Sequence, residues 1–355
     1  MFDFCIIGGG IAGLSAGAAL APLGQVCVLE GEAAFGYHSS GRSAALYEPN
    51  YGAPPNRALA VASGAALREA GVLSPRGLLM VATADEAAAF AADSPHLGME
   101  RIGAAAARAM VPVLCRGIVD AAYTDSAWDI DTDRLLQIHA KAIRAGGGEA
   151  RTGARVAAIA RTGGGWRVTT GAEDIEARVL VNAAGAWADQ VAAMAGMRPL
   201  GIVPHRRSMA RIPAPGGHDV SRWPMLFGPG ETWYAKPDAG ALLVSPAEED
   251  ATTPHDAWSE DIVLAEGIAR YEAHVTEPVT RLLASWAGLR SFAPDRVLVI
   301  GRDRRDPAFQ WCAGQGGYGF QTSAAAAAHL ADIVAGRPPA IGAAVAAALD
   351  PARFG

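Results

Sequence analysis

The first thirty residues switch sharply between apolar runs and glycine. "DFCIIGGG", Asp3 to Gly10, contains a short run that is apolar on both faces, as a central strand of a parallel sheet must be. "IAGLSAGAALAPLG" follows with helical spacing and a stop at Gly24, and "QVCVLE" is a second short apolar run, so the chain opens strand–helix–strand. Further on, "TDRLLQIHAKAIRAGG" predicts an amphipathic helix with Thr132 as N-cap and Gly146 to Gly148 as its stop. "ARVAAIARTGGGWRVTTGAEDIEARVLVNAAG" predicts alternating strands around a glycine turn that return to a buried strand, "VLVNAAG". From Leu200 to about Leu283, tryptophans, prolines and runs such as "ETWYAKPDAGALLVSP" predict a mostly antiparallel sheet. "DRVLVIG" predicts another buried parallel strand, and "QTSAAAAAHLADIVAG" a closing helix.

The fold class that follows is α/β, with a Rossmann-like domain interleaved with a mostly antiparallel α+β domain. The expected division is 1–75, 146–200 and 288–355 for the first and 76–145 and 201–287 for the second. Interleaving of this kind leaves a ligand cleft between the two.

Composition narrows the partners. A chain of 355 residues with 51% hydrophobic and 19% charged content buries a large core and is not disordered. A net charge of -6 leaves no basic stripe for nucleic acid. Cys5, Cys27, Cys115 and Cys312 form no CxxC pair, which fits reduced thiols and no metal. Asp129, Asp131 and Asp133 alternate like a metal loop but read as a turn and helix start. The N-terminus lacks the positive region of a signal peptide and carries Asp3. No stretch offers about 18 uninterrupted apolar residues. The expectation is a cytoplasmic protein without a membrane span.

The chemistry begins at "GGGIAG". Gly8, Gly10 and Gly13 have GxGxxG spacing between a strand and a helix, with Ile11 and Ala12 opening the helix. Gly8 permits the tight turn, Gly10 the close approach of a pyrophosphate, and Gly13 the packing of helix on strand. The helix N-terminus attracts phosphate, and Glu30 closes the second strand where an acid accepts from ribose hydroxyls. "VLVNAAGAWAD" and "GQGGYGFQTS" add two further glycine-rich approaches, and three together suit the long FAD better than NAD.

These motifs, with "GYHSSGRSAA", "DIDTD", "RRS", "YAKPDAG", "WAGLRSF" and "QGGYGFQTSAA", resemble the D-amino acid oxidase superfamily from end to end. Within it the resemblance is nearest to the bacterial D-arginine dehydrogenases. It implies noncovalent FAD and oxidation of an amino acid at its α-carbon by hydride transfer, the imino acid then hydrolysing to a 2-oxo acid and ammonia. It also implies cofactor contacts from Gly41, Arg42, Ser43, Ala44, Val156, Ala184, Gly185, Trp187, Arg290, Gly316, Gly317, Tyr318, Gly319, Gln321 and Thr322. On the substrate side it points to Arg290 and Arg207 for a carboxylate. Tyr51 and Tyr234 would donate to or shield the same group, and Gly317 and Gln321 would accept from the amine. Arg is the fork that carboxylates fit. One of the neighbours Arg206 and Arg207 is expected at the surface, and only one of Trp233 and Tyr234 at the site. His38 and His205 read as structural.

Two departures bear on specificity. Where the arginine-using members carry a histidine and a glutamate, this chain carries Leu46 and Leu78. A leucine cannot pair a guanidinium, so neutral, apolar D-amino acids are the expected substrates. Glu48 is the counter-candidate, expected as a solvated charge on a loop. The alternatives are D-arginine or D-lysine, a secondary amine such as proline or sarcosine, or a 2-hydroxy acid. Neither lysine, Lys141 or Lys236, sits in a flavin-facing motif, so a quinone or other acceptor is expected ahead of oxygen.

Overall fold

A computed structural model describes all 355 residues, Met1–Gly355. The strand Phe2–Ile7 lies between Val26–Leu29 and Asp174–Asn182, parallel to both. Glu149–Arg151 extends the sheet beyond Val26–Leu29, and Phe309–Ala313 runs parallel beside Leu180 to Asn182. Alternation along Phe2–Ile7 supplies two cores. Phe4 and Ile6 pack with Leu14, Leu59, Leu135 and Leu330 from four helices, whereas Cys5 and Ile7 pack with Trp166, Val191 and Trp311. The helices on the first face are Ile11–Leu20, Pro54–Glu69, Thr132–Ala145 and Gly319–Ala335.

Three sequence expectations change here. "DRVLVIG" yields the strand Val299–Arg302, which is antiparallel to Phe309–Ala313. The parallel strand at that edge is Phe309–Ala313 itself, whose buried aromatic run "FQWCA" was the missed signal. The N-cap of Thr132–Ala145 is Asp131, whose carboxylate accepts from Arg134 N at 3.0 Å, and Thr132 is the first helical residue. That helix packs in the first core, although the expected division groups it with 76–145.

The second sheet has nine strands, antiparallel except where Met225–Phe227 runs alongside Leu78–Thr83. Its alternation again makes two faces. Leu79, Val81, Trp233 and Ala235 point into one core with Tyr271, while Leu78, Met80, Phe227 and Tyr234 point to the other. Val203–Pro213 pairs with Ala284–Phe292 over nine positions, from Val203↔Phe292 to Arg211↔Ala284. A small third sheet, Leu46–Tyr47, Trp128–Ile130 and Leu73–Pro75, joins the opening loop to the body. No helix is long and apolar enough to cross a membrane.

The glycine turn is the tightest point of the fold. A Cβ on Gly13 would stand 1.8 Å from Gly8 O, whereas nothing lies within 4 Å of the same atom on Gly171. Gly13→Ala is therefore expected to destabilise by roughly 1–3 kcal/mol and Gly171→Ala by less than about 0.5 kcal/mol. Urea denaturation of the two variants checks this, and equal midpoints would contradict it.

Candidate active site

A single cleft of about 490 Å³ runs from the glycine turn, between the two sheets, to the apolar face of the second. Its size and largely apolar lining suit a buried cofactor and small ligand. At one end, Gly8 has φ +110°, and a Cβ there would stand 2.3 Å from Ala183 O. At Gly10 the nearest atom to such a Cβ is Ser40 Oγ at 3.1 Å, on the cleft side. The helix Ile11–Leu20 begins here with no acid in its first turn, so its positive end is open to phosphate. Ser40 Oγ accepts from Ile11 N at 3.0 Å, a contact the sequence reading missed. Glu30 is held by Gly9 N at 2.8 Å and Glu32 N at 2.9 Å, which fixes its carboxylate at the strand end. These features fit FAD, which Gly8, Gly10, Ile11, Ala12 and Glu30 would hold at the nucleotide end.

Most of the remaining cofactor candidates line the same cleft: Arg42, Ser43, Ala44, Val156, Ala184, Gly185, Trp187, Gly316, Gly317, Gly319, Gln321 and Arg290. Four do not, and they act as supports. Gly13 lies behind the turn, and Gly41 N closes its own turn on Gly36 O at 2.6 Å. Thr322 Oγ1 donates to Tyr318 O at 2.9 Å, and the Tyr318 ring packs 5.4 Å from that of Tyr51. Cys312 is buried behind the glycine turn, 3.9 Å from Ala12 O, with its thiol pushed up to about 12 by that burial.

The loop before the substrate side is stapled to the second sheet. Ser39 Oγ donates to Leu289 O at 2.6 Å. Arg42 donates to Ala257 O at 2.8 Å and Ala287 O at 3.0 Å, and pairs with Asp256 at 2.5 Å. Arg42 thus holds backbone in place, which limits it as a direct ligand.

Arg290 projects from Ala284–Phe292 against Gly317, where a Cβ would stand 3.1 Å from its Cζ. It donates no hydrogen bond to the protein, and its nearest acid is Glu249 at 3.7 Å. Burial alone would lower its pKa, but Tyr51, Tyr234, Glu231 and Glu249 around it hold it above the ordinary arginine value. Arg207 is 6% exposed, lines the cleft and gives Nη2 to Glu249 at 3.0 Å. Arg206 is the outward neighbour, paired with Asp250 and Glu260. Tyr234 faces the cleft side with Met209, and Trp233 packs on Tyr271 in the opposite core. Tyr51 donates to Glu231 at 2.9 Å, and burial pushes its phenol up.

One expectation is corrected at this end. Glu48 is not solvated: it is 4% exposed in the cleft wall, with Oε1 accepting from Asn50 N at 2.9 Å and Oε2 from Ser126 Oγ at 2.8 Å. Burial, partly offset by those bonds, raises its carboxyl above the ordinary glutamate value. Gln321 Oε1 accepts from Glu48 N at 2.9 Å, which leaves that oxygen one further acceptor site and its NH₂ for the cleft. Leu46 and Leu78 do line the cleft, joined by Leu97, Met209, Met225 and Phe227. Met209 was findable as the residue two along the strand from Arg207; Glu249, brought in by a neighbouring strand, had no local signal.

Comparison with known proteins places this geometry. The family described as "DAO: FAD dependent oxidoreductase" matches residues 3–333. Hydrogen cyanide synthase subunit HcnC of Pseudomonas aeruginosa is 28% identical over 176 residues, 47% of this chain and 40% of that protein. The match thus spans less than half of that relative's length. The structure of L-proline dehydrogenase from P. horikoshii is similar with a TM-score of 0.83 at 21% identity, covering 99% of this chain and 97% of that one. Glycine oxidase from Geobacillus kaustophilus gives a TM-score of 0.81 at 22% identity, with 99% and 97% covered. With the glycine turn, the cleft and a family match over nearly its whole length, the chain belongs to the DAO family of FAD-dependent oxidoreductases.

Proposed function

We propose that this protein carries out the oxidative deamination of D-amino acids with neutral, apolar side chains, giving a 2-oxo acid and ammonia. The observation that carries the reading is Arg290, a permanently charged fork facing the cleft with no hydrogen bond of its own. A half-buried guanidinium of this kind is a ready partner for a single carboxylate. Arg207 adds a second positive charge, and Tyr234 and Tyr51 supply hydroxyls beside it. FAD, when bound, supplies the two-electron acceptor. The chain's own part is to fix the carboxylate, to set the α-carbon at the cofactor end near Gly317, and to keep the space dry with its apolar wall. No general base is required when the substrate arrives as the neutral amine.

Leu46, Leu78, Leu97, Met225 and Phe227 favour an apolar side chain, and Glu48 is held in the wall by Asn50 N and Ser126 Oγ. The preference for the D enantiomer rests on the sequence resemblance. Lys236 is tied to Asp129 at 2.8 Å and Lys141 is exposed, and neither lines the cleft. This supports electron delivery to a quinone or another acceptor ahead of oxygen. A second reading, a basic D-amino acid held by Glu48, draws on the burial of that acid in the wall.

Three outcomes are expected. In anaerobic mixing, D-Met, D-Leu and D-Phe bleach the flavin faster than D-Arg or D-Lys, and the L enantiomers do not; faster bleaching by D-Arg would transfer the assignment to the second reading. Arg290→Leu lowers kcat/KM for D-Met by about 100-fold or more, as loss of a buried charge-assisted pair implies; a value near wild type would remove Arg290 from the site. Glu48 titrates above its unfolded value, so the folded state binds the extra proton and loses stability as pH rises past the ordinary glutamate range. Glu48→Gln should therefore flatten that decline in denaturation curves taken upward from about pH 4.3, and parallel curves would show that Glu48 does not titrate differently in the fold.

A further inference from the structure

The arginine cluster contains one carboxylate that neither the cofactor nor the proposed reaction requires. Val203–Pro213 pairs with Ala284–Phe292 so that His205 lies opposite Arg290 and Arg207 opposite Gly288. Arg207 and Arg290 therefore share one face of the sheet, a diagonal step apart. On the other side of Val203–Pro213, the pairing of Arg206 with Asp250 brings the preceding residue, Glu249, beside Arg207. Glu249 Oε1 accepts from Arg207 Nη2 at 3.0 Å and stands 3.7 Å from Arg290 Nη1. Its Oε2 accepts from Arg296 at 2.6 Å, and the Arg296 guanidinium is stacked 3.8 Å over the Phe292 ring. Three guanidiniums thus converge on a single side chain. The other charged or ionisable groups around Arg290 include Glu231, Tyr51, Tyr234 and Tyr318.

The fork of Arg207 is only half used. Nη2 is committed to Glu249, and the buried Nε has no partner. An Nε–Nη2 edge is the bidentate carboxylate face of an arginine, so Glu249 occupies one half of a place where a second carboxylate would otherwise sit. We infer that Glu249 is a specificity-determining residue: a built-in carboxylate that fills the second anion position of the arginine cluster and restricts the substrate to one carboxylate. The inference rests on the proposed carboxylate subsite and goes beyond it by excluding acidic amino acids and other dicarboxylates. By holding Arg207 Nη2 from behind the cleft, Glu249 takes up the cation that the second carboxylate of a dianionic ligand needs, and its charge opposes that carboxylate, a repulsive element of the kind that makes a site selective. Glu249 acts through the arginines and is a positioning residue, since it does not line the cleft itself.

The test uses the FAD-loaded protein and two unreactive probes, propionate and succinate, titrated against the visible absorbance of the flavin. Wild type should bind propionate more tightly than succinate. Glu249→Gln, which keeps the size and removes the charge, should shift the ratio of the two dissociation constants towards succinate by about tenfold. Glu249→Ala should shift it at least as far, and Glu249→Asp should stay near wild type. A ratio within twofold of wild type in both neutral variants overturns the role of Glu249 while leaving the carboxylate subsite intact. Wild type that binds neither probe overturns the subsite and this inference together. A purely structural Glu249 would lower the denaturation midpoint of every variant without moving the ratio. If Glu249→Ala does not retain FAD, the Gln variant decides.

Discussion

The site depends on one ladder, the antiparallel pairing of Val203–Pro213 with Ala284–Phe292. It places Arg207 and Arg290 on a common face, and it is also the surface to which the cofactor-side loop is fastened. Ser39 and Arg42 bond backbone carbonyls along Ala284–Phe292, and Trp286 Nε1 returns a bond to Arg42 O at 3.2 Å. The cofactor-side loop is therefore registered against the second sheet by side-chain donors that bond backbone carbonyls. A shift of Val203–Pro213 by one residue in this ladder would turn Arg207 away from the cleft, bring Arg206 into it and part Arg207 from Arg290.

Around that ladder, charge is distributed unevenly. One arginine is fixed and the other is left free. Arg207 is anchored by Glu249 in a nearly closed environment, while Arg290 is kept charged by hydroxyls and acids that do not bond to it. The free cation faces a wall of leucine, methionine and phenylalanine, so a ligand with one anionic end and one apolar end has a single favourable orientation. Glu48 contributes to this wall as a buried acid held by Asn50 N and Ser126 Oγ, and through its backbone N–H it orients Gln321.

The glycine turn and the first parallel strands were legible in the sequence because each rests on local physics, whereas Arg207 and Arg290 were singled out by the family resemblance. GxGxxG needs only the absence of three Cβ atoms, and an alternating strand displays its faces in order. What was not legible came from packing between distant segments. Val299–Arg302 looked like a parallel strand because burial on both faces gives the same apolar run in either direction. Glu48 looked exposed because nothing nearby in the sequence announces that Ser126 will close over it. The orientation of Gln321 follows from Glu48 N, 273 residues away in the chain. Glu249 was invisible for the same reason, since its meaning lies in three arginines brought to it by other elements.

The central claim is that Arg290 receives the carboxylate and the apolar wall receives the side chain. The most direct measurement is a crystal structure of the FAD-loaded protein soaked with an unreactive apolar carboxylate such as 4-methylpentanoate. The account predicts its carboxylate within hydrogen-bond distance of the Arg290 guanidinium, with the alkyl chain against Leu46, Leu78 and Phe227. A carboxylate bound away from Arg290, or an alkyl chain pointing out of the cleft, would contradict it.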